Sequence, residues 1–153
     1  MSLVVSAGLA FVDSGETDVL CRPALLALEA PPRRAGLGVW REAVFDAVDG
    51  AALRAREGRF TVVQGRILHV GDRAQRVYPH FVRRGGDGLS VTVSKRTWRR
   101  VLERGLSAAD LRGRPVRVRG VIEVRRGPAF EIAAADLIEM VDEADRGEQA
   151  LRR

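Results

Sequence analysis

A single cysteine, Cys21, excludes an internal disulfide and removes the ligands of the usual structural zinc sites. It is expected as a small buried hydrophobe. Aromatic residues make up only 5% of the 153 positions, so a broad stacking surface is not expected. No run approaches the roughly 18 apolar residues that span a bilayer, and no membrane partner is expected. The opening Leu3–Val12 is long enough for a signal-peptide core, but no arginine or lysine precedes it, so it is read as structure. The expected location is cytoplasmic as the chain stands, and exported or periplasmic if an upstream portion exists. Lysine is nearly missing too: Lys95 stands alone against 25 arginines. Positive charge is therefore guanidinium charge, suited to planar, bidentate contact with phosphate.

What is present is a globular composition, 46% hydrophobic and 30% charged, which rules out disorder throughout. A chain this long buries roughly 68–70% of its unfolded surface and needs no metal or disulfide to hold a core. The net charge of +6 is unevenly placed: residues 1–58 carry −2, residues 59–126 carry +12 and residues 127–153 carry −4. A dense positive block inside a folded pattern predicts attraction to polyanions, nucleic acid first.

Three regions follow from the pattern. Residues 1–40 hold a short apolar helix over Ala24–Ala30, starting near Asp18, which Pro31-Pro32 is expected to end or kink. Val39 and Trp40 then require a surface to dock on. Residues 41–58 read as a linker with a weak helix over Ala51–Arg56. From Arg59 the period becomes two. Five strands are expected: Phe60–Val70, bending at Gly65; Arg76–Arg83; Leu89–Ser94; Val116–Arg125; and Ala129–Ile132. Pro79 cannot donate to a ladder, which suggests an edge or a bulge there. A helix over Lys95–Gly105 separates the third strand from the fourth, with Trp98, Val101 and Leu102 on one face. In the fourth strand Val116, Val118, Ile122 and Val124 alternate inward against Arg117, Arg119, Glu123 and Arg125 outward, a register fixed by the burial of one face. The tail 142–153 is acidic, then basic. Three strands, a helix and two strands make a mainly β, α+β class: a five-stranded OB-fold Greek-key barrel over 59–141 behind a short helical N-terminal segment.

Two stretches carry a family resemblance. Gly8-Leu9-Ala10-Phe11-Val12, Ala24–Ala30 and Gly36-Leu37-Gly38-Val39-Trp40 resemble the C-terminal end of staphylococcal-nuclease-like (thermonuclease) domains. Val62–Ile67, Tyr78-Pro79-His80-Phe81, Leu111–Gly120 and Gly127–Ile132 are similar to the OB-fold domain of the tRNA-anticodon-binding type that follows such domains in some bacterial proteins. The first resemblance implies calcium-dependent phosphodiester hydrolysis, but the family's acidic, glutamate and arginine motifs precede the part represented here. No catalytic residue is therefore assigned, and no cofactor or metal is expected. Asp13, Glu16 and Asp18 read as a polar turn rather than a cation site.

Other chemistry is thinly supplied. His69 and His80 read as surface histidines, and Arg83-Arg84-Gly85-Gly86-Asp87-Gly88 precedes a strand, where a phosphate-cradling loop would open a helix. Binding remains. OB barrels engage oligonucleotides through the second and third strands and the loops joining strands one to two and four to five. The candidate contacts are Arg66, Arg73, Arg76, Tyr78, His80, Arg83, Arg84, Thr92, Arg117, Arg119, Arg125 and Arg126, with Tyr78 as the one stacking ring. The expected role is noncatalytic, charge-dominated binding of single-stranded DNA or RNA with weak sequence preference. The alternatives are the back part of a thermonuclease-like enzyme and a protein-interaction module using residues 1–40.

Overall fold

Valines and isoleucines placed every second residue set the architecture, because each strand that carries them must turn that face to a shared core. The computed structural model describes residues 2–12, 22–41 and 44–142. Helix α1 spans Ser2–Ser6 and α2 Arg22–Ala35; a 3-10 turn at Gly38–Arg41 leads to strand β1, Val44–Asp46, and helix α3, Gly50–Arg54. Then come β2 Phe60–Arg66, β3 His69–Asp72, β4 Arg76–His80 and β5 Ser90–Ser94. Helices α4 Lys95–Glu103 and α5 Ala108–Leu111 precede β6 Pro115–Val121, β7 Glu123–Val124, β8 Pro128–Ile132, a 3-10 turn at Ala135–Leu137 and β9 Glu139–Met140.

Two sheets, ordered β1-β2-β6-β9 and β3-β4-β5-β8-β7, are joined by chain continuity. Strand β2 passes into β3 across Ile67 and Leu68, and β6 into β7 across Ile122. The Ile67 amide donates to Arg114 O at 3.0 Å and the Leu68 amide to His80 O at 2.8 Å, so adjacent residues hand the strand from one partner to the next. Pairing is antiparallel for β3–β4, β4–β5, β7–β8 and β2–β6, and parallel for β5–β8. The five expected strands thus run around a ring in the OB order, with α4 between the third and fourth. Most of the expected inward residues are inside: Val63, Leu89, Val91, Val93, Val116, Val118 and Ile122 are buried, whereas Val124 is half-buried and Leu102 of the helix is exposed. Helix α4 is capped by the Ser94 hydroxyl, which accepts the Thr97 amide, and the chain leaves it through Gly105 at φ +81°.

Gly65 is required by contact as much as by curvature. A Cβ there would lie 2.5 Å from the Ala47 methyl and 2.9 Å from the Phe81 ring.

Three expectations are corrected. The prolines do not end α2, which runs through both. Each proline removes one helical hydrogen bond, but Pro32 is buried and packs on the Gly8 backbone. Residues 44–54, expected as linker, pair with and pack on the barrel: β1 lies parallel to β2, and Ala47 and Leu53 join its core. Asp49 caps α3 by accepting the Ala52 amide at 3.1 Å. Pro79 is neither at an edge nor at a bulge, since β4 lies between β3 and β5. Arg76↔Ser94 and His80↔Ser90 keep one register on either side of it, so the ladder is interrupted there without an inserted residue. The start of the N-terminal helix, Cys21, Asp13, Glu16, Asp18 and the tail beyond Asp142 lie outside the described residues.

The N-terminal segment docks through aromatic packing and through charge. Trp40 is buried, with Phe11 edge-on at 4.8 Å, and Phe11 in turn meets Phe60. The face that α2 turns inward holds Arg22, Leu26, Glu29 and Pro32, while Leu28 is exposed. Arg22 reaches Asp136 at 2.9 Å. Leu3, Leu9 and Leu37 face solvent. Among the described residues no helix is long and apolar enough to cross a membrane.

Candidate nucleic-acid interface

Strands β3 and β4 form a hairpin whose outer face carries three rings. His69 lies opposite His80, and Gly71 opposite Tyr78. The His69 and His80 rings are 9° from parallel with centroids 6.0 Å apart, and Tyr78 and His80 are 17° from parallel at 6.5 Å. Gly71 makes this possible. A Cβ there would lie 3.3 Å from His80 Nε2, so the imidazole leans over the β3 backbone. Next in the sheet comes Thr92, half-buried on β5. His69 had no assigned role, although the hairpin register alone brings it beside His80.

Arginines flank the rings at both ends. Arg73 follows β3 in the hairpin turn and Arg76 opens β4 opposite Ser94. At the other end His80 lies opposite Ser90, and Ser90 opposite Ala129. That end receives the loops bearing the exposed Arg83 and Arg84, and Arg125 and Arg126. Carboxylates temper the face: Arg76 reaches across β5 to Glu131 at 2.9 Å, Arg125 lies 3.8 Å from Glu123, and Lys95 pairs with Asp72. Arg66 is exposed on the other sheet and donates to Gly113 O.

Arg117 and Arg119 are not on this surface. Both point away from the barrel core as expected, but α2 and β9 cover that side, leaving them 2% and 0% exposed. Arg119 forms two bonds of 2.8 Å to the Glu29 carboxylate, one of 2.7 Å to Glu139 and one of 3.2 Å to Val12 O. Glu29 also accepts the Val12 amide at 2.6 Å. Arg117 lies 3.7 Å from Glu139 and 3.4 Å from Gln64 Oε1. Burial alone would lower the Arg119 pKa. Its bonds to Glu29 and the charges of Glu139 and Glu29 outweigh that and raise it. Arg119 holds the N-terminal segment to β6, while Arg117 ties β6 to β9 and β2.

Partial desolvation over Gly71, then the neighbouring His69 and Arg73, lower the His80 pKa from histidine's ordinary value. His80 is therefore neutral at pH 7. Its unfolded form takes up a proton near pH 6.5, before the folded ring does. This contribution to stability is whole above that pH and is lost as pH falls through the folded value. A phosphate chain bound beside this ring would have the opposite pH dependence, because an anion favours the imidazolium. At constant ionic strength, binding is expected to tighten about 1.5- to 5-fold between about pH 7.5 and 5.5, the worth of one exposed ion contact. Fluorescence anisotropy with wild type and His80→Gln checks it: the increment should shrink in the variant.

Among the described residues no group of three His, Cys, Asp or Glu side chains is placed to hold a metal ion. Neither a protein-family profile nor a curated protein matches the chain. Among solved structures it is similar to an OBody, AM3L15, bound to hen egg-white lysozyme (19% identity, TM-score 0.43, covering 61% of this chain and 91% of that one). A second OBody, AM1L10, also bound to hen egg-white lysozyme, gives 20% identity and TM-score 0.41, over 58% of this chain and 85% of that one. Asparaginyl-tRNA synthetase from Pyrococcus horikoshii gives 14% identity and TM-score 0.39, over 58% of this chain but 22% of that one. The fold rests on the strand pairing rather than on these likenesses.

Proposed function

We propose that this chain is a noncatalytic OB-fold module that binds single-stranded DNA or RNA across β3, β4 and β5 with little sequence preference. The observation that carries this is the row of three near-parallel rings between two arginine-bearing ends. Neighbouring rings lie 6.0 and 6.5 Å apart, nearly twice the 3.4 Å rise of a duplex strand. Bases reach successive rings only when unstacked, which a single strand permits at low cost and a duplex does not. Phosphates on either side meet Arg73 and Arg76, or Arg83, Arg84, Arg125 and Arg126. Guanidinium contact with phosphate carries no base information, so selectivity is weak. The nuclease-like likeness of residues 1–40 enters this reading as scaffold, through Glu29 and Val12. A second reading, docking of a protein on residues 1–40, rests on the exposure of Leu3, Leu9 and Leu37.

A labelled single strand titrated at several salt concentrations tests the proposal. Three to five phosphate contacts imply a log–log slope of roughly −2 to −3.5, and a duplex of the same sequence should bind more weakly. A flat salt response, or no binding at low salt, overturns the reading.

A further inference from the structure

Beside the ring platform lies an open cleft of about 990 Å³ between α4, β5, β8 and the β6–β7 region. It is at the upper end of ligand-pocket size, with room for a nucleotide. Thr92 and Ser94 form its near wall on β5, and Glu131 lines it on β8. Arg96 and Arg100, one turn apart on α4, line it together with Arg125 of the β7–β8 connection. The cleft opens because β7 pairs with β8 only at Ala129 and Pro128, so β8 separates from its neighbour beyond that point. It is continuous with the platform: Arg76 on β4 lies opposite Ser94, and its guanidinium crosses to the cleft's own Glu131.

Resting on the reading above, we propose that the cleft is a second nucleotide subsite, through which a single strand leaving the Tyr78–His80 platform crosses β5, its phosphates held by Arg96, Arg100 and Arg125. The charge balance favours a strand over a compact polyanion. Arg96, Arg100 and Arg125 line the cleft with the carboxylates of Glu123 and Glu131, and Arg76 reaches Glu131 from the platform. Four guanidiniums against two carboxylates leave a net of +2 spread over separate side chains, which suits spaced single phosphates better than a clustered triphosphate. The hydroxyls of Thr92 and Ser94 lie on the crossing. The bound strand thus runs across the sheet, and its footprint extends beyond what three rings can cover.

The test uses the full chain, Arg96→Ala/Arg100→Ala, and the control Arg59→Ala/Arg112→Ala, which removes equal charge from exposed positions outside the cleft. Circular dichroism verifies the fold of each. Wild type should bind a 10-nucleotide strand with a salt slope steeper by about 1.4 than the cleft variant, two contacts at 0.7 each. A 3-nucleotide strand should bind both alike, and the control should match wild type. Equal slopes for wild type and the cleft variant, or an equal loss in the control, overturn the cleft while leaving the platform intact. Absence of strand binding by wild type overturns the platform reading and this inference together. ATP binding more tightly than the 10-nucleotide strand, with dependence on Arg96 and Arg100, would make the cleft a site for free nucleotides and overturn the strand path.

Discussion

Glu29→Ala is expected to destabilise the protein by about 3–5 kcal/mol, because it leaves Arg119 charged at a site with no access to water. The Arg119 side chain is fully buried, and Glu29 supplies two of its carboxylate bonds as well as the acceptor for the Val12 amide. Glu139, 15% exposed, remains within 2.7 Å and softens the loss without replacing it. For a chain of this length each kcal/mol shifts the melting temperature by about 2–4 °C. A drop of about 6–20 °C in a thermal melt is the expected result. The cost comes from stranding one charge rather than from losing a strong bond, so Glu29→Met/Arg119→Met should recover most of it. A fall of less than about 1 kcal/mol for Glu29→Ala would mean that α2 is not seated on β6 in solution.

The same contact explains part of the charge pattern along the chain. Of the arginines in the +12 block, Arg117 and Arg119 are answered from the acidic flanks, by Glu29 before the barrel and Glu139 after it. The excess available to an external polyanion is smaller than the count suggests; much of it lies at the two ends of the ring platform and on α4, with Arg59, Arg66, Arg112 and Arg114 exposed elsewhere.

How far the fold was legible follows from which forces act locally. Strands with one buried face announce themselves: Leu89, Val91 and Val93, or Val116, Val118 and Ile122, leave a single register that hides the valines. Alternation states which way a side chain points but not what lies beyond it. Arg117 and Arg119 point outward as read, but Arg119 meets a helix some 90 residues away in sequence and Arg117 meets Glu139 and Gln64. The usable signal was on α2, where Arg22, Leu26, Glu29 and Arg33 share a face, with the leucine between charged neighbours and Leu28 left in solvent. Val44–Asp46 carries no legible signal because three residues cannot establish a period. Pro79 misled because a proline disfavours a central ladder on average, whereas here only the local pairs are interrupted. Within the interface Tyr78, His80 and the loop arginines were readable from strand order. His69 required the hairpin register, and the cleft required the divergence of β7 from β8, which no residue type signals.

Tyr78→Ala separates stacking from charge more directly than any arginine variant. One base lost from an aromatic ring costs about 1–3 kcal/mol, so affinity for a single strand should fall about 5- to 150-fold at fixed salt. The salt slope should stay unchanged, since no phosphate contact is removed. Tyr78→Phe should retain most of the affinity, because the ring face rather than the hydroxyl meets the base. Arg73→Ala is the complementary case, a flatter slope by about 0.7 with the stacking signal of a 2-aminopurine strand preserved. The opposing account makes Tyr78 a rim residue that shields the barrel. It is half-buried opposite Gly71, and on that account Tyr78→Ala lowers the melting temperature and leaves affinity at the wild-type value. The two accounts differ in both observables. A folded Tyr78→Ala variant with undiminished strand affinity would therefore remove the ring platform, leaving only the arginines to attract nucleic acid.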